Sequence, residues 1–257
     1  MAQPLPARFC AILGVSLSIL LLALNAQAQD EGGKTEKVKP TAPAKPEVKD
    51  LGNGNYELKG IRFSSETREV HFPAEVNLHE ELLEYAIVHD MGATHEALLR
   101  TKVRPFDLQV VLHLLRYAPF KEGLFDGFDR DAASQEAPTI SPDDVPQNAR
   151  AEILLRWTVD GEEKEARLES WIKDIKTGTP MRNGFWQFNG LPDPATMKHW
   201  KPEAESNLVG IYLSEFAPIN YPYEGNRTDE AWVPNASKMP PLDSKVDVIL
   251  RPLTKSK

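Results

Sequence analysis

The chain has 257 residues, of which 41% are hydrophobic and 26% are charged, and its 38 Asp and Glu residues outnumber its 30 Lys and Arg residues. This composition is typical of a globular protein and excludes a collagen, a coiled-coil rod and a wholly disordered chain. The formal net charge of -8 argues against nucleic-acid binding, which needs a basic surface.

The first 28 residues have the pattern of a secretory signal peptide. Arg8 is their only charged residue, an apolar stretch runs from Phe9 to Leu24, and Ala26-Gln27-Ala28 matches a cleavage site. The apolar stretch is shorter than the roughly 20 residues of a spanning helix. We therefore expect cleavage after Ala28, export to the periplasm or the outside of the cell, and no stable membrane span afterwards. The alternative is an uncleaved membrane anchor.

Cys10, the single cysteine of the chain, lies within the predicted signal peptide. The mature chain is therefore expected to hold no disulfide and no thiolate-bound iron–sulfur cluster.

Residues 29–50, the segment after the predicted signal peptide, are rich in Lys, Pro and Glu and lack Leu, Ile and aromatic residues, which predicts a disordered linker. One globular domain is expected over residues 51–253.

Alternation of apolar and polar residues predicts mainly β-strands in that domain. Tyr56–Phe63 is expected to form one strand, and Leu82–Met91 a central strand that ends in a turn at Gly92-Ala93. A hairpin is expected around Asp160-Gly161, between strands at 152–159 and 164–172.

One clear helix is predicted at about 105–117. It begins with Pro105, which suits a first helical turn, and is followed by an irregular insertion at about 119–148. Strands and helices do not alternate regularly, so we expect an α+β fold with a predominantly antiparallel sheet. The core-facing stripe of the helix is Leu108, Val111, Leu112 and Leu115.

Several segments, taken together, are similar to those of a known family. They are Phe72–Asn77, Leu83–Tyr85, Gly92–Leu99, Pro105-Phe106, Ile219–Pro222, Asp229–Asn235, Pro240-Pro241 and Val246–Pro252. In this combination they resemble the YdjY-domain family of exported bacterial proteins, over nearly all of residues 51–252. The resemblance implies an exported bacterial domain and no particular activity.

His95-Glu96 is the first candidate site. In metalloproteases of the His-Glu-x-x-His type, both histidines bind zinc, but Leu99 stands at the second histidine position here. A looser divalent-metal site is still conceivable from His95 and Glu96 together with His71 on a neighbouring strand, or with His79 or His89. The alternative is structural: His95 bonds a backbone carbonyl and Glu96 pairs with a basic residue.

Arg227, Asp229 and Trp232 form the second candidate site, in a segment rich in Pro, Asn and Tyr. Aromatic side chains with charged neighbours in a loop suit binding of a glycan or a partner protein. The alternative is that Trp232 pins the loop to the core while Arg227 pairs with Asp229 or Glu230.

These observations favour a non-enzymatic binding or interaction module with an unknown protein or glycan partner and no cofactor. The first alternative is a divalent-metal-binding protein or metal-dependent hydrolase that uses His95-Glu96. The second is a metal-free enzyme whose catalytic residues are distant from one another in the sequence.

Overall fold

The computed structural model of the protein describes residues 47–130, 141–193 and 206–253. These residues belong to one compact unit, Lys45–Lys257. The predicted signal peptide and most of the predicted linker, up to residue 46, lie outside the described residues. The first described strand begins at Lys49, two residues before the predicted start of the domain.

Strands dominate the described part of the chain, and one α-helix, α1 (Pro105–Leu114), accompanies them. The strands are β1 (Lys49–Gly52), β2 (Asn55–Leu58), β3 (Ile61–Ser64), β4 (Val70–Val76), β5 (Tyr85–His89), β6 (Ala97–Thr101), β7 (Arg150–Val159), β8 (Glu162–Arg167), β9 (Ile172–Asp174), β10 (Trp186–Phe188), β11 (Asn207–Gly210), β12 (Ile219–Asn220), β13 (Trp232–Pro234) and β14 (Lys245–Pro252).

Eight of these strands close into a barrel. Their order is β4, β14, β7, β10, β12, β11, β5 and β6, and β6 pairs back with β4. The pairs β5–β6 and β11–β12 are parallel and the other barrel pairs are antiparallel. The predicted fold class, α+β with a predominantly antiparallel sheet, is therefore wrong. The domain is mostly β, with a closed barrel of mixed strand direction.

The connection between β5 and β6 explains part of this difference. The turn predicted at Gly92-Ala93 does not lead into an antiparallel strand: Tyr85 pairs with Ala97 and His89 with Thr101, so the two strands run in the same direction. Residues 90–96 carry the chain back along β5. Seven residues at about 3.3–3.6 Å each are long enough to retrace a five-residue strand.

Closure depends on β4, which changes its partner along its length. Its first residues pair with β3, at His71 and Val70, and its last residues pair with β6, at Glu75 and Val76. One strand therefore serves both the barrel and the β1–β2–β3 extension that leads into it. No local sequence signal marks such a change of partner.

The barrel interior is a packed apolar core, and α1 contributes its predicted apolar stripe to it. The helix lies at the expected position but ends at Leu114 instead of Tyr117, because Arg116 adopts a positive φ of 63°. No helix in the described part of the chain combines the length and apolar character needed to span a membrane.

The turns of the hairpins confirm one local prediction and correct another. β7 and β8 form the expected antiparallel hairpin around Asp160-Gly161. The single strand predicted over Tyr56–Phe63 is instead the hairpin β2–β3, because Lys59 and Gly60 both adopt positive φ (47° and 85°) and reverse the chain.

The predicted irregular insertion at about 119–148 is described on both sides of residues 131–140, which lie outside the described residues. Turns occupy 122–127, and a short 3₁₀ turn covers Pro142–Asp144. Leu124 is buried, and Phe120 donates its backbone N–H to Phe188 O of β10 (2.9 Å). The first part of the insertion is therefore packed against the barrel.

Candidate functional site

A cleft lies on the outer wall of the barrel beside the β5–β6 connection, and we call it the crossover cleft. It consists of two adjoining depressions of about 590 and 550 Å³, which share Arg130, Ser214 and Phe216. The first is also lined by Met91–Ala93, His95, Glu96, Ser206 and Asn207, and the second by Phe125, Phe128, Asp129 and Glu215.

The β5–β6 connection forms one wall of this cleft. Ala93 packs against a small apolar cluster on the outer side of β5, separate from the main core and formed by Tyr85, Val88 and Ala97. The path of the connection therefore depends on its own apolar contacts as well as on the strands that it joins.

Asn77 fixes the part of the connection that carries His95 and Glu96. Its side-chain amide donates to the backbone oxygens of Thr94 (2.5 Å) and Ala97 (2.7 Å), on either side of the 3₁₀ turn Thr94–Glu96. The hydrogen bonds from Asn77 on both sides of the turn hold the backbone of His95 and Glu96 in place at the edge of the cleft.

Gly92 allows the connection to approach the start of β11. A Cβ atom at this position would lie 2.6 Å from Ser206 Cβ, closer than real Cβ contacts. His89 donates its backbone N–H to Ser206 O (2.6 Å) at the same place. Asn207 pairs in register with Val88, so its side chain lies on the outer face, within the cleft.

The Glu96 carboxylate is only weakly compensated by positive charge. Burial raises its pKa above the ordinary range, the nearby Asp229 raises the pKa further, and His95 acts in the opposite direction. The His95 side chain is 81% exposed, and its Nε2 lies 3.7 Å from Glu96 Oε2, which is longer than a hydrogen bond.

Arg130 lines both depressions and is held by several contacts. Its guanidinium pairs with the Glu84 carboxylate and lies over the Tyr212 ring, 4.3 Å from the ring centroid. The Tyr212 hydroxyl donates to Arg130 O (3.1 Å), and Arg130 Nη1 donates to Leu213 O (3.4 Å). These contacts together position the arginine where it lines both depressions.

Asn207 contributes a buried donor that lacks a partner. The residue is 1% exposed, and no described group accepts a hydrogen bond from its Nδ2. Its Oδ1 accepts a weak hydrogen bond from Ser206 Oγ (3.3 Å). Unpaired buried donors are rare in folded proteins and need an explanation.

Two of the three residues predicted to bind a partner lie beside the crossover cleft. Asp229 is close enough to Glu96 to raise its pKa. Arg227 donates to Leu124 O (2.8 Å), and its guanidinium lies over Phe128, 5.6 Å from the ring centroid.

Trp232 does not face the cleft. It is 8% exposed and belongs to the main core. Its indole N–H donates to Gly225 O (2.9 Å), and its ring packs edge-to-face on Tyr221. The packing of Trp232 therefore favours the alternative in which this side chain anchors the loop to the core.

His71 lies elsewhere, in a chain of charged side chains on the outer face of β4, β14, β7 and β8. Its Nδ1 is 2.9 Å from Asp247 Oδ2. Arg251 pairs with Glu69 (2.5 Å) and Arg167 with Glu152 (2.6 Å). We call this the ion-pair ladder, and define it as Glu69, His71, Glu152, Arg167, Asp247 and Arg251.

The three residues proposed as metal ligands are therefore not brought together. His71 lines a depression that shares no residue with the one beside His95 and Glu96. Within residues 47–130, 141–193 and 206–253, no three His, Cys, Asp or Glu side chains form a group suited to a metal ion.

Sequence reasoning missed Arg130, Asn207 and Phe216. Arg130 follows the segment Phe125–Asp129, whose aromatic residues are a weak local signal inside the predicted irregular insertion. Asn207 and Phe216 carry no motif. Their placement depends on the pairing of β11 with β5 and β12.

Comparison with known proteins adds no assignment. No protein-family model, no curated protein and no solved structure matches the chain. The resemblance to the YdjY-domain family therefore stays a prediction.

Proposed function

We propose that this chain is an exported, non-catalytic binding module of YdjY-like type whose ligand site is the crossover cleft. The observation that carries the proposal is the unpartnered Nδ2 of Asn207, a buried donor that lines a cleft of ligand size. Each of the two depressions lies within the range of about 300–1,000 Å³ that is typical of small-molecule sites. The N-terminal sequence pattern supports export.

The geometry of His95-Glu96 favours binding over acid–base catalysis. A catalytic imidazole is held by short hydrogen bonds within reach of its substrate. The His95 ring is largely exposed, and its contact with Glu96 is 3.7 Å long. Glu96 instead offers a fixed carboxylate acceptor at the edge of the cleft.

A nuclear magnetic resonance screen tests the proposal. The full chain is expressed for export, labelled with ¹⁵N and mixed in turn with uncharged oligosaccharides, basic peptides and Zn²⁺. We expect either the oligosaccharides or the basic peptides to shift the amide signals of Glu96, Asn207 and Phe216 and to be recovered chemically unchanged. Zn²⁺ tests the metal-binding alternative.

Three results would contradict the proposal. Conversion of a probe would indicate an enzyme, and shifts confined to the ion-pair ladder would place the site elsewhere. One equivalent of Zn²⁺ bound at His95 and Glu96 would favour the metal-binding alternative.

Export has its own test. The mass of the protein recovered from the periplasm or the medium should correspond to a chain that begins at Gln29. A product that keeps residues 1–28 and stays in the cytoplasm would contradict the export part of the proposal.

A further inference from the structure

The hydrogen-bonding groups of the crossover cleft need a ligand that both donates and accepts. The buried Nδ2 of Asn207 needs an acceptor. The Glu96 carboxylate is available to a donor on the ligand, because its side chain is 26% exposed, no described residue donates a hydrogen bond to it and its nearest cationic partner is His95, 3.7 Å away. Hydroxyl groups satisfy both needs, since each has one donor proton and two acceptor lone pairs.

The second depression adds apolar surface to these polar groups. Phe125 and Phe128 are partly exposed there, and Phe128 packs edge-to-face on Tyr212 with the ring centroids 5.5 Å apart. Phe216 lines both depressions. The faces of such rings carry negative partial charge and attract the weakly positive C–H groups of a ligand.

The charge of the cleft excludes anionic ligands. The described lining residues include the carboxylates of Glu84, Glu96, Asp129 and Glu215, against the guanidinium of Arg130. Arg130 is already paired with Glu84. A phosphate or carboxylate on the ligand would therefore be repelled, because the arginine is not available to neutralise it.

We infer that the crossover cleft binds an uncharged oligosaccharide, which lays a sugar ring on Phe216 and directs hydroxyl groups to Asn207 and Glu96. The inference rests on the proposed function, because it names the ligand class of the same site. A chain of sugars fits two adjoining depressions better than a single small molecule does, since the two depressions share Arg130, Ser214 and Phe216.

Calorimetric titration tests the inference. The full chain, expressed for export, is titrated with hexasaccharides of glucose, mannose, xylose and N-acetylglucosamine, and with an oligogalacturonate of the same length. We expect at least one uncharged hexasaccharide to bind and the oligogalacturonate not to bind.

Two variants localise the binding. Phe216→Ala removes ring contact, and Asn207→Asp keeps the side-chain shape while it replaces the donor by an acceptor. Each should weaken binding about tenfold, the equivalent of one lost contact. Arg62→Ala, on the outer face of β3, is the matched control and should bind like the unaltered chain.

The possible results distinguish a failure of the inference from a failure of the proposed function. If no hexasaccharide binds but a basic peptide shifts the cleft amide signals, the inference is wrong and the site itself stands. If no probe of any class reaches the cleft, both the inference and the proposed function are wrong. Saccharide binding that survives Phe216→Ala and Asn207→Asp also overturns the inference.

Discussion

The crossover cleft and the ion-pair ladder use the same charged residue types in opposite ways. In the ladder, strand register sets Arg251 directly opposite Glu152, and each charge meets a partner of opposite sign. In the cleft, a connection between strands presents Glu96 beside another carboxylate, Asp229. The register of paired strands tends to place opposite charges beside each other, whereas a connection between strands can leave a charged side chain available to a ligand.

Two carboxylates illustrate this contrast. Glu75, on the outer face of β4, pairs with Lys245 and Arg100, and both hold its pKa below the ordinary range. Glu96 has its pKa raised, chiefly by burial. The first carboxylate stabilises the fold when it is ionised, and the second one destabilises it.

The largest expected effect separates the core from the cleft. Trp232→Ala should lower the free energy of unfolding by about 3–5 kcal/mol, because it removes a buried ring and leaves a cavity. Phe216→Ala, at the partly exposed cleft wall, should cost less than about 1 kcal/mol. Urea denaturation of both variants measures the difference, and equal losses would contradict the assignment of Trp232 to the core.

The next effect concerns Arg167 of the ion-pair ladder and a buried carboxylate outside the ladder. Arg167 pairs with Glu169, whose side chain is fully buried. Arg167→Met leaves that carboxylate without its cation and should cost about 3 kcal/mol, at the low end for a broken buried pair because Arg167 is itself partly exposed.

Arg62→Met is the matched control for this variant. Arg62 is 59% exposed and pairs with Asp247 at 3.4 Å, so its loss should cost less than about 1 kcal/mol. Equal effects of the two variants, measured by urea denaturation, would show that the burial of Glu169 does not determine the cost of removing Arg167.

A smaller effect depends on pH. The pKa of Glu75 is lowered in the folded state, so its stabilisation is present above the ordinary glutamate pKa of about 4.3 and is lost as the pH falls through the folded-state value. Glu75→Gln should therefore destabilise the protein by about 0.5 kcal/mol at neutral pH and have little effect in acid. Denaturation at both pH values checks this, and a loss that persists in acid would contradict an ionic origin.

The smallest effect has the opposite sign. The pKa of Glu96 is raised, so the folded state binds more protons than the unfolded state, and stability falls as the pH rises above about 4.3. Glu96→Gln should stabilise the protein by up to about 0.5 kcal/mol at neutral pH, with the gain vanishing in acid. Destabilisation at neutral pH would mean that the Glu96 carboxylate has a stabilising partner.

Local signals predicted several parts of the fold. The β7–β8 hairpin follows from Asp160-Gly161, whose positive φ angles of 52° and 82° suit a tight two-residue turn. The stripe of α1 follows from helical spacing. His95-Glu96 was also found from the sequence, but the interpretation as part of a metal site with His71 depended on a proximity that the barrel does not provide.

The sequence by itself determined an acidic, strand-rich domain with one helix and the turn of the β7–β8 hairpin, because these features depend on neighbours within a few residues. Only the tertiary structure decided the barrel closure through β4 and β6, the parallel β5–β6 pair and the meeting of Arg130, Asn207 and Phe216 in one cleft. Those pairings join segments far apart in the chain, and they are selected by packing of the whole core instead of by local preference.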